Sequence, residues 1–130
     1  MKLICLPSML LLFLLPIATK ADPIDNVVVL LRQGNTQELV KLLSDNVEVT
    51  ILNNDNTLDK ASAAPALDKF FADNKPIKAT LFHKLDSNPN YLFAVVILNT
   101  DKGVYRIAYT IGKKDGMKII EFRIENEKTK

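Results

Sequence analysis

Apolar and polar positions are patterned most regularly over residues 91–124, which read YLFAVVILNTDKGVYRIAYTIGKKDGMKIIEFRI. Three apolar runs are separated by two turn signals. Asp101-Lys102-Gly103 suits a three-residue hairpin loop, a type I turn followed by glycine in the left-handed region. It sets Thr100 opposite Val104, and hence Leu98 opposite Arg106, Ile97 opposite Ile107, Val95 opposite Tyr109 and Phe93 opposite Ile111. Asp115-Gly116 suits a two-residue turn. It sets Ile111 opposite Ile120, Tyr109 opposite Phe122, Ile107 opposite Ile124 and Arg106 opposite Glu125. Strand faces alternate with period two. Together the registers place Phe93, Val95, Ile97, Tyr105, Ile107, Tyr109, Ile111, Ile120, Phe122 and Ile124 on one apolar face. Arg106, Thr110, Glu121 and Arg123 fall on the other. A face that apolar requires a cover, most simply helices.

The preceding residues supply those helices. Asp22 caps and Pro23 suits the first helical position, and Ile24, Val27, Val28 and Leu31 recur at helical spacing up to Gly34. Asn35 with Glu38 opens a second short helix that buries Leu39, Leu42 and Leu43 and closes at Asp45-Asn46. Val47-Glu48-Val49-Thr50-Ile51 alternates as a half-buried strand. Asn53-Asn54-Asp55-Asn56 is a turn cluster, and Thr57-Leu58 a brief return strand. Asp59 or Ser62 caps a third helix with Pro65 in its first turn and a stripe of Ala63, Ala66, Leu67, Phe70 and Phe71. Lys75-Pro76 ends it. Residues 77–83 form the next strand, 86–90 a loop, and 125–130 a charged tail that frays. Helices come early and a curved antiparallel sheet late, so the fold class is α+β.

The N-terminus changes the domain count. Lys2, the apolar run at residues 3–17 and Thr19-Lys20-Ala21 read as a secretory signal ending at residue 21, with cleavage after Ala18 as the alternative. Pro7 and Pro16 interrupt the run, which is short for a membrane span. Residues 1–21 are therefore a signal peptide and 22–130 one domain, exported to the periplasm or secreted. The chain has 17 basic and 15 acidic residues, a net charge of +2. Lys2 and Lys20 leave with the signal, so the mature charge is zero. A neutral, unclustered surface argues against nucleic acid as a partner. The only cysteine, Cys5, also leaves, which excludes disulfides and thiolate metal sites and suits a bacterial envelope.

Several local sequences carry a family likeness: Leu30-Leu31-Arg32-Gln33-Gly34-Asn35, Val47-Glu48-Val49-Thr50-Ile51-Leu52, Lys69-Phe70-Phe71-Ala72-Asp73-Asn74, Gly103-Val104-Tyr105-Arg106 and Phe122-Arg123-Ile124-Glu125. Together with the element order, they resemble the nuclear-transport-factor-2-like, or cystatin-like, superfamily. Within it the chain is similar to the exported bacterial family called domain of unknown function 4783. The resemblance implies three helices wrapped by a bent sheet, with a cavity between them. Superfamily members include enzymes, ligand binders and dimerising modules, so fold does not settle function.

Candidate chemistry is sparse. His83, the only histidine, falls in phase with Ile77, Ala79, Leu81 and Leu85. It reads as a base or hydrogen-bonding group at a pocket mouth, or as an ordinary strand-end residue. Enzymes of the superfamily often pair such a histidine with a carboxylate, yet no Asp or Glu falls on the expected inner face of the last three strands. Tyr91, Tyr105 and Tyr109 share that face and could orient a small apolar or amphipathic ligand, or simply pack. On the opposite face Val96, Leu98, Arg106 and Arg123 mark a candidate homodimer interface, more apolar than a solvated sheet requires. No phosphate loop, calcium loop, metal cluster or nucleophile motif is present, so the reading assigns no cofactor, no metal and no catalytic residue. The expectation is a non-catalytic binding or interaction domain with no membrane span after cleavage. The alternative is an isomerase- or dehydratase-like enzyme using His83.

Overall fold

The helices begin where their caps stand. The computed structural model describes residues 22–52 and 56–127, so the expected signal segment, the first three residues of the turn cluster and the last three residues of the chain lie outside the described residues. Helix α1 spans Pro23–Gln33; the Asp22 carboxylate accepts the Ile24 N–H at 2.9 Å. It ends at Gly34, whose φ of 64° is left-handed. The conformation favours glycine, and a β-carbon there would also stand in tight contact, 3.3 Å from the Pro76 ring. Helix α2 spans Thr36–Lys41, capped by Asn35 accepting from the Glu38 N–H at 3.2 Å. Helix α3 spans Lys60–Asp73, and Asp59 is its cap, accepting from the Ser62 N–H at 2.9 Å. Pro65 lies in the second turn rather than the first.

Five strands form one sheet in the order β1-β5-β4-β3-β2. They are β1 (Leu43–Ile51), β2 (Pro76–Leu85), β3 (Tyr91–Thr100), β4 (Val104–Gly112) and β5 (Lys118–Asn126). The last four form an antiparallel meander. β1 joins β5 in parallel, so the sheet is mixed where the sequence suggested antiparallel pairing throughout. β1 also starts earlier than expected: Leu43, Asp45 and Asn46 belong to it rather than to α2. The return strand reduces to one bridge between Val49 and Leu58. Part of the expected fraying tail is ordered as strand, with Glu125 opposite Arg106 and Asn126 opposite Tyr105.

The β4–β5 register matches the expectation over most of its length. Tyr109 faces Phe122, Ile107 faces Ile124 and Arg106 faces Glu125. The turn end differs. Lys113–Asp115 form a short 3-10 turn, and both Gly116 and Met117 have positive φ. Ile111 consequently faces Ile119, and the register shifts at Ile120.

The β3–β4 register is displaced by one residue. Asn99, not Thr100, faces Val104, and the series continues with Leu98 opposite Tyr105, Val96 opposite Ile107 and Ala94 opposite Tyr109. The cause lies in Thr100. Its hydroxyl donates to the Gly103 carbonyl at 2.8 Å and accepts the Lys102 and Gly103 N–H groups at 3.2 and 3.1 Å. The Thr100 N–H also donates to the Gly103 carbonyl. Gly103 sits at φ 158°, far from the left-handed value a three-residue loop requires. A one-residue slip exchanges the faces of β3. Leu92, Ala94, Val96 and Leu98 therefore enter the core, while Tyr91, Phe93, Val95 and Ile97 lie outside. The expected interface residues Val96 and Leu98 are both 0 % exposed.

The core lies between the three helices and the inner face, from Ile24, Leu31, Leu39 and Leu67 to Val96, Leu98, Ile107, Tyr109 and Phe122. α1 packs on β2 and β3, and α3 on β1. Among the described residues no helix is long and apolar enough to cross a membrane.

Candidate functional site

The expected ligand-contacting residues do not converge. Tyr109 is buried at the centre of β4 and donates its hydroxyl to the Ile24 carbonyl at 2.8 Å, tying the sheet to the first turn of α1. Burial, with the Asp25 and Asp22 carboxylates adding to it, pushes its pKa well above the usual tyrosine range. Tyr105 is half-buried and donates to Asn74 Oδ1 at 2.7 Å; Asn74 Nδ2 donates onward to the Phe70 carbonyl at 3.0 Å. The Phe70 ring meets Tyr105 edge-on at 4.9 Å. Both hydroxyl protons are thus committed to partners within the fold. Tyr91 stands on the opposite face, carried there by the register of β3.

His83 is also displaced from its expected face. The β2 register shifts between Leu81 and His83, so His83 opposes Val95 and is exposed on the outer side. Its ring lies 6.4 Å from that of Phe93. No ion pair between His83 and a carboxylate occurs among the described residues, so the histidine–acid pair required by the enzyme alternative is not assembled. Lys84 takes the inward register opposite Ala94 and reaches Asp22 at 3.7 Å, closing the rim beside α1.

What does assemble is a surface. No described helix covers the outer sheet face. Its centre is apolar: Phe93, Val95 and Ile97 on β3, with Val104 and Ala108 on β4. Val95 is only 4 % exposed although it faces outward, so its neighbours close around it. Along edge strand β2, Phe82 is 63 % exposed and Leu85 39 %. The Arg106 guanidinium lies over the Phe82 ring, 5.6 Å from its centroid, a cation–π arrangement. Arg106 faces Glu125 across the strands, but its ion pair is with Glu127 at 3.8 Å. Arg123 pairs with Glu121 at 3.8 Å and Glu125 at 3.5 Å. These exposed pairs contribute roughly 0–1 kcal/mol each. The β5 side carries Glu121, Glu125 and Glu127 with Arg123 among them, and the β2 side carries Lys78 opposite Asn99. Phe82, absent from the expected site, occupies the β2 irregularity, which no period-two pattern reveals.

Comparison with known proteins places this architecture. A family model described as "Domain of unknown function (DUF4783)" matches residues 24–125. A crystal structure of a DUF4783 family protein from Bacteroides uniformis superposes with a TM-score of 0.73 at 27 % identity, covering 81 % of this chain and 97 % of that one. A DUF4783 family protein from Bacteroides fragilis gives 0.69 at 28 % identity, covering 78 % and 95 %. A domain with a cystatin-like fold from Nostoc punctiforme gives 0.62 at 11 % identity, covering 78 % and 71 %, a likeness of fold alone. No curated protein matches the chain.

Proposed function

The chain belongs to the DUF4783 family, a domain of unknown function, and on that premise we propose that it is an exported, non-catalytic domain that works by self-association through the helix-free face of its sheet. The observation that carries this reading is the apolar centre formed by Phe93, Val95, Ile97, Val104 and Ala108, which no described helix covers. A second copy suits this face because the face complements itself. A twofold axis running along β3 and β4 lays each copy's β2 across its partner's β5. Lys78, level with Asn99 and Val104, then approaches the end of β5 that carries Glu127, while the apolar centres meet on the axis. An axis across the strands would instead lay β2 on β2. Isologous contacts of this kind are the commonest route to a dimer. Export rests on the leader-like residues 1–21, and the non-catalytic reading on the exposed, unpaired position of His83.

Native mass spectrometry of the protein recovered after export tests the reading in one experiment. The expected spectrum shows a dimer whose subunits begin at or near Asp22 and carry no additional small mass. A monomer at every accessible concentration overturns self-association, and a subunit that retains residues 1–21 overturns processing of the leader.

A further inference from the structure

A second concavity lies on the helix side, away from the outer face, where the C-terminal turns of α3 approach the end of β1. It measures about 240 Å³ and is walled by Ile51, Leu52, Leu58, Ala66 and Phe70. Lys69 and Asp73 at its edge pair with each other at 3.1 Å, so their charges offset. Among the described residues Asn74 is the one uncharged polar side chain in the wall. It is only 8 % exposed, and it spends one of its two amide hydrogens on the Phe70 carbonyl. Its oxygen is held by Tyr105, so the amide orientation is fixed and one N–H remains to give.

The backbone supports this shape. Leu52 has φ 60°, a left-handed conformation that leucine rarely adopts. Its N–H donates to the Ile124 carbonyl at 2.6 Å, which anchors the turn to β5. An apolar cavity of about 150 Å³ accommodates benzene, so this volume admits one ring with a short substituent.

We propose that this cleft binds a small neutral ring compound bearing one hydrogen-bond acceptor. The apolar walls hold the ring, and the free Asn74 N–H meets the acceptor. The offsetting Lys69–Asp73 pair gives neither an acid nor an amine an advantage. The site is separate from the self-association face, and each can fail without the other.

Acetophenone and its near-isostere ethylbenzene, which lacks the acceptor, are suitable probes in a backbone amide NMR titration of the purified protein. Acetophenone is expected to shift the amides of Ile51, Leu58, Ala66 and Phe70 saturably, and to bind at least fivefold more tightly than ethylbenzene, roughly a neutral hydrogen bond's worth. Ala66→Phe fills the cleft and abolishes both interactions; should that variant fail to fold, Ala66→Leu is expected to weaken them at least tenfold. Ile97→Lys, on the opposite face, leaves binding unchanged. Shifts that do not saturate through the millimolar range, or that spread over the outer face, overturn the site. Equal affinity for the two probes overturns the role of Asn74, and unaltered affinity in Ala66→Leu overturns the location.

Discussion

Tyr109 shows how a single residue can suggest one role and perform another. From sequence it is a polar handle on an apolar face, a ligand contact in waiting. In the fold its hydroxyl is donated to the Ile24 carbonyl, so it fastens β4 to α1. Tyr109→Phe is expected to cost about 0.5–1.5 kcal/mol in urea unfolding at neutral pH. Its raised pKa adds a pH signature. The folded state holds this proton more firmly than the unfolded chain, so the contribution is intact below the unfolded value of about 10 and is lost as pH rises above it. Wild-type stability should therefore fall through that range more steeply than that of Tyr109→Phe, and parallel pH profiles would refute the assignment. Met117 offers the opposite test. It has φ 60° and is 42 % exposed, so it bears backbone strain with little packing in return. Met117→Gly is expected to stabilise by up to about 1 kcal/mol, the lower strain being partly offset by a freer unfolded chain. A thermal melt with no gain would show that the side chain holds more than its exposure suggests.

At the scale of elements, legibility followed locality. The caps Asp22, Asn35 and Asp59 and the stop at Gly34 could be read because each acts within a turn of its own helix. The β4–β5 register was legible because Arg106, Thr110, Glu121 and Arg123 break the apolar pattern and fix which face is polar. β3 has no such marker. From Tyr91 to Leu98 it is apolar at every position, so either face could enter the core, and the choice fell to the turn. There the Thr100 hydroxyl outweighed the glycine signal by satisfying two backbone N–H groups. Thr100→Val, which keeps the shape and deletes those bonds, is expected to cost about 1–3 kcal/mol, measured by chemical denaturation; a neutral result would remove Thr100 as the determinant of the turn. The β1–β5 pairing was hidden for a different reason: the two strands are far apart in sequence, and period-two patterning carries no direction. Edge strand β2 is interrupted by two register shifts and carries Lys78 and Lys84, features that discourage further strand pairing. The proposed association therefore uses the face of the sheet rather than its edge.

For the whole molecule, the slip at β3 decides where a partner could sit. The sequence reading offered Val96 and Leu98 to solvent and assigned Phe93, Val95 and Ile97 to the core. The structure exchanges the two sets, so the interface idea survives only when moved to neighbouring residues. The candidate ligand site changed similarly: Tyr109 proved to be internal packing, and the cleft beside Asn74 arises from α3 and Leu52, which no local motif foretold. Two adjacent lysine substitutions distinguish the two registers of β3. Ile97→Lys and Val96→Lys are compared by sedimentation velocity and by circular dichroism. Ile97→Lys is expected to keep its fold and sediment as a monomer, whereas Val96→Lys, placing a charge at a fully buried position, is expected to unfold the domain. A folded, monomeric Val96→Lys beside an unfolded Ile97→Lys would contradict both the register and the face it exposes.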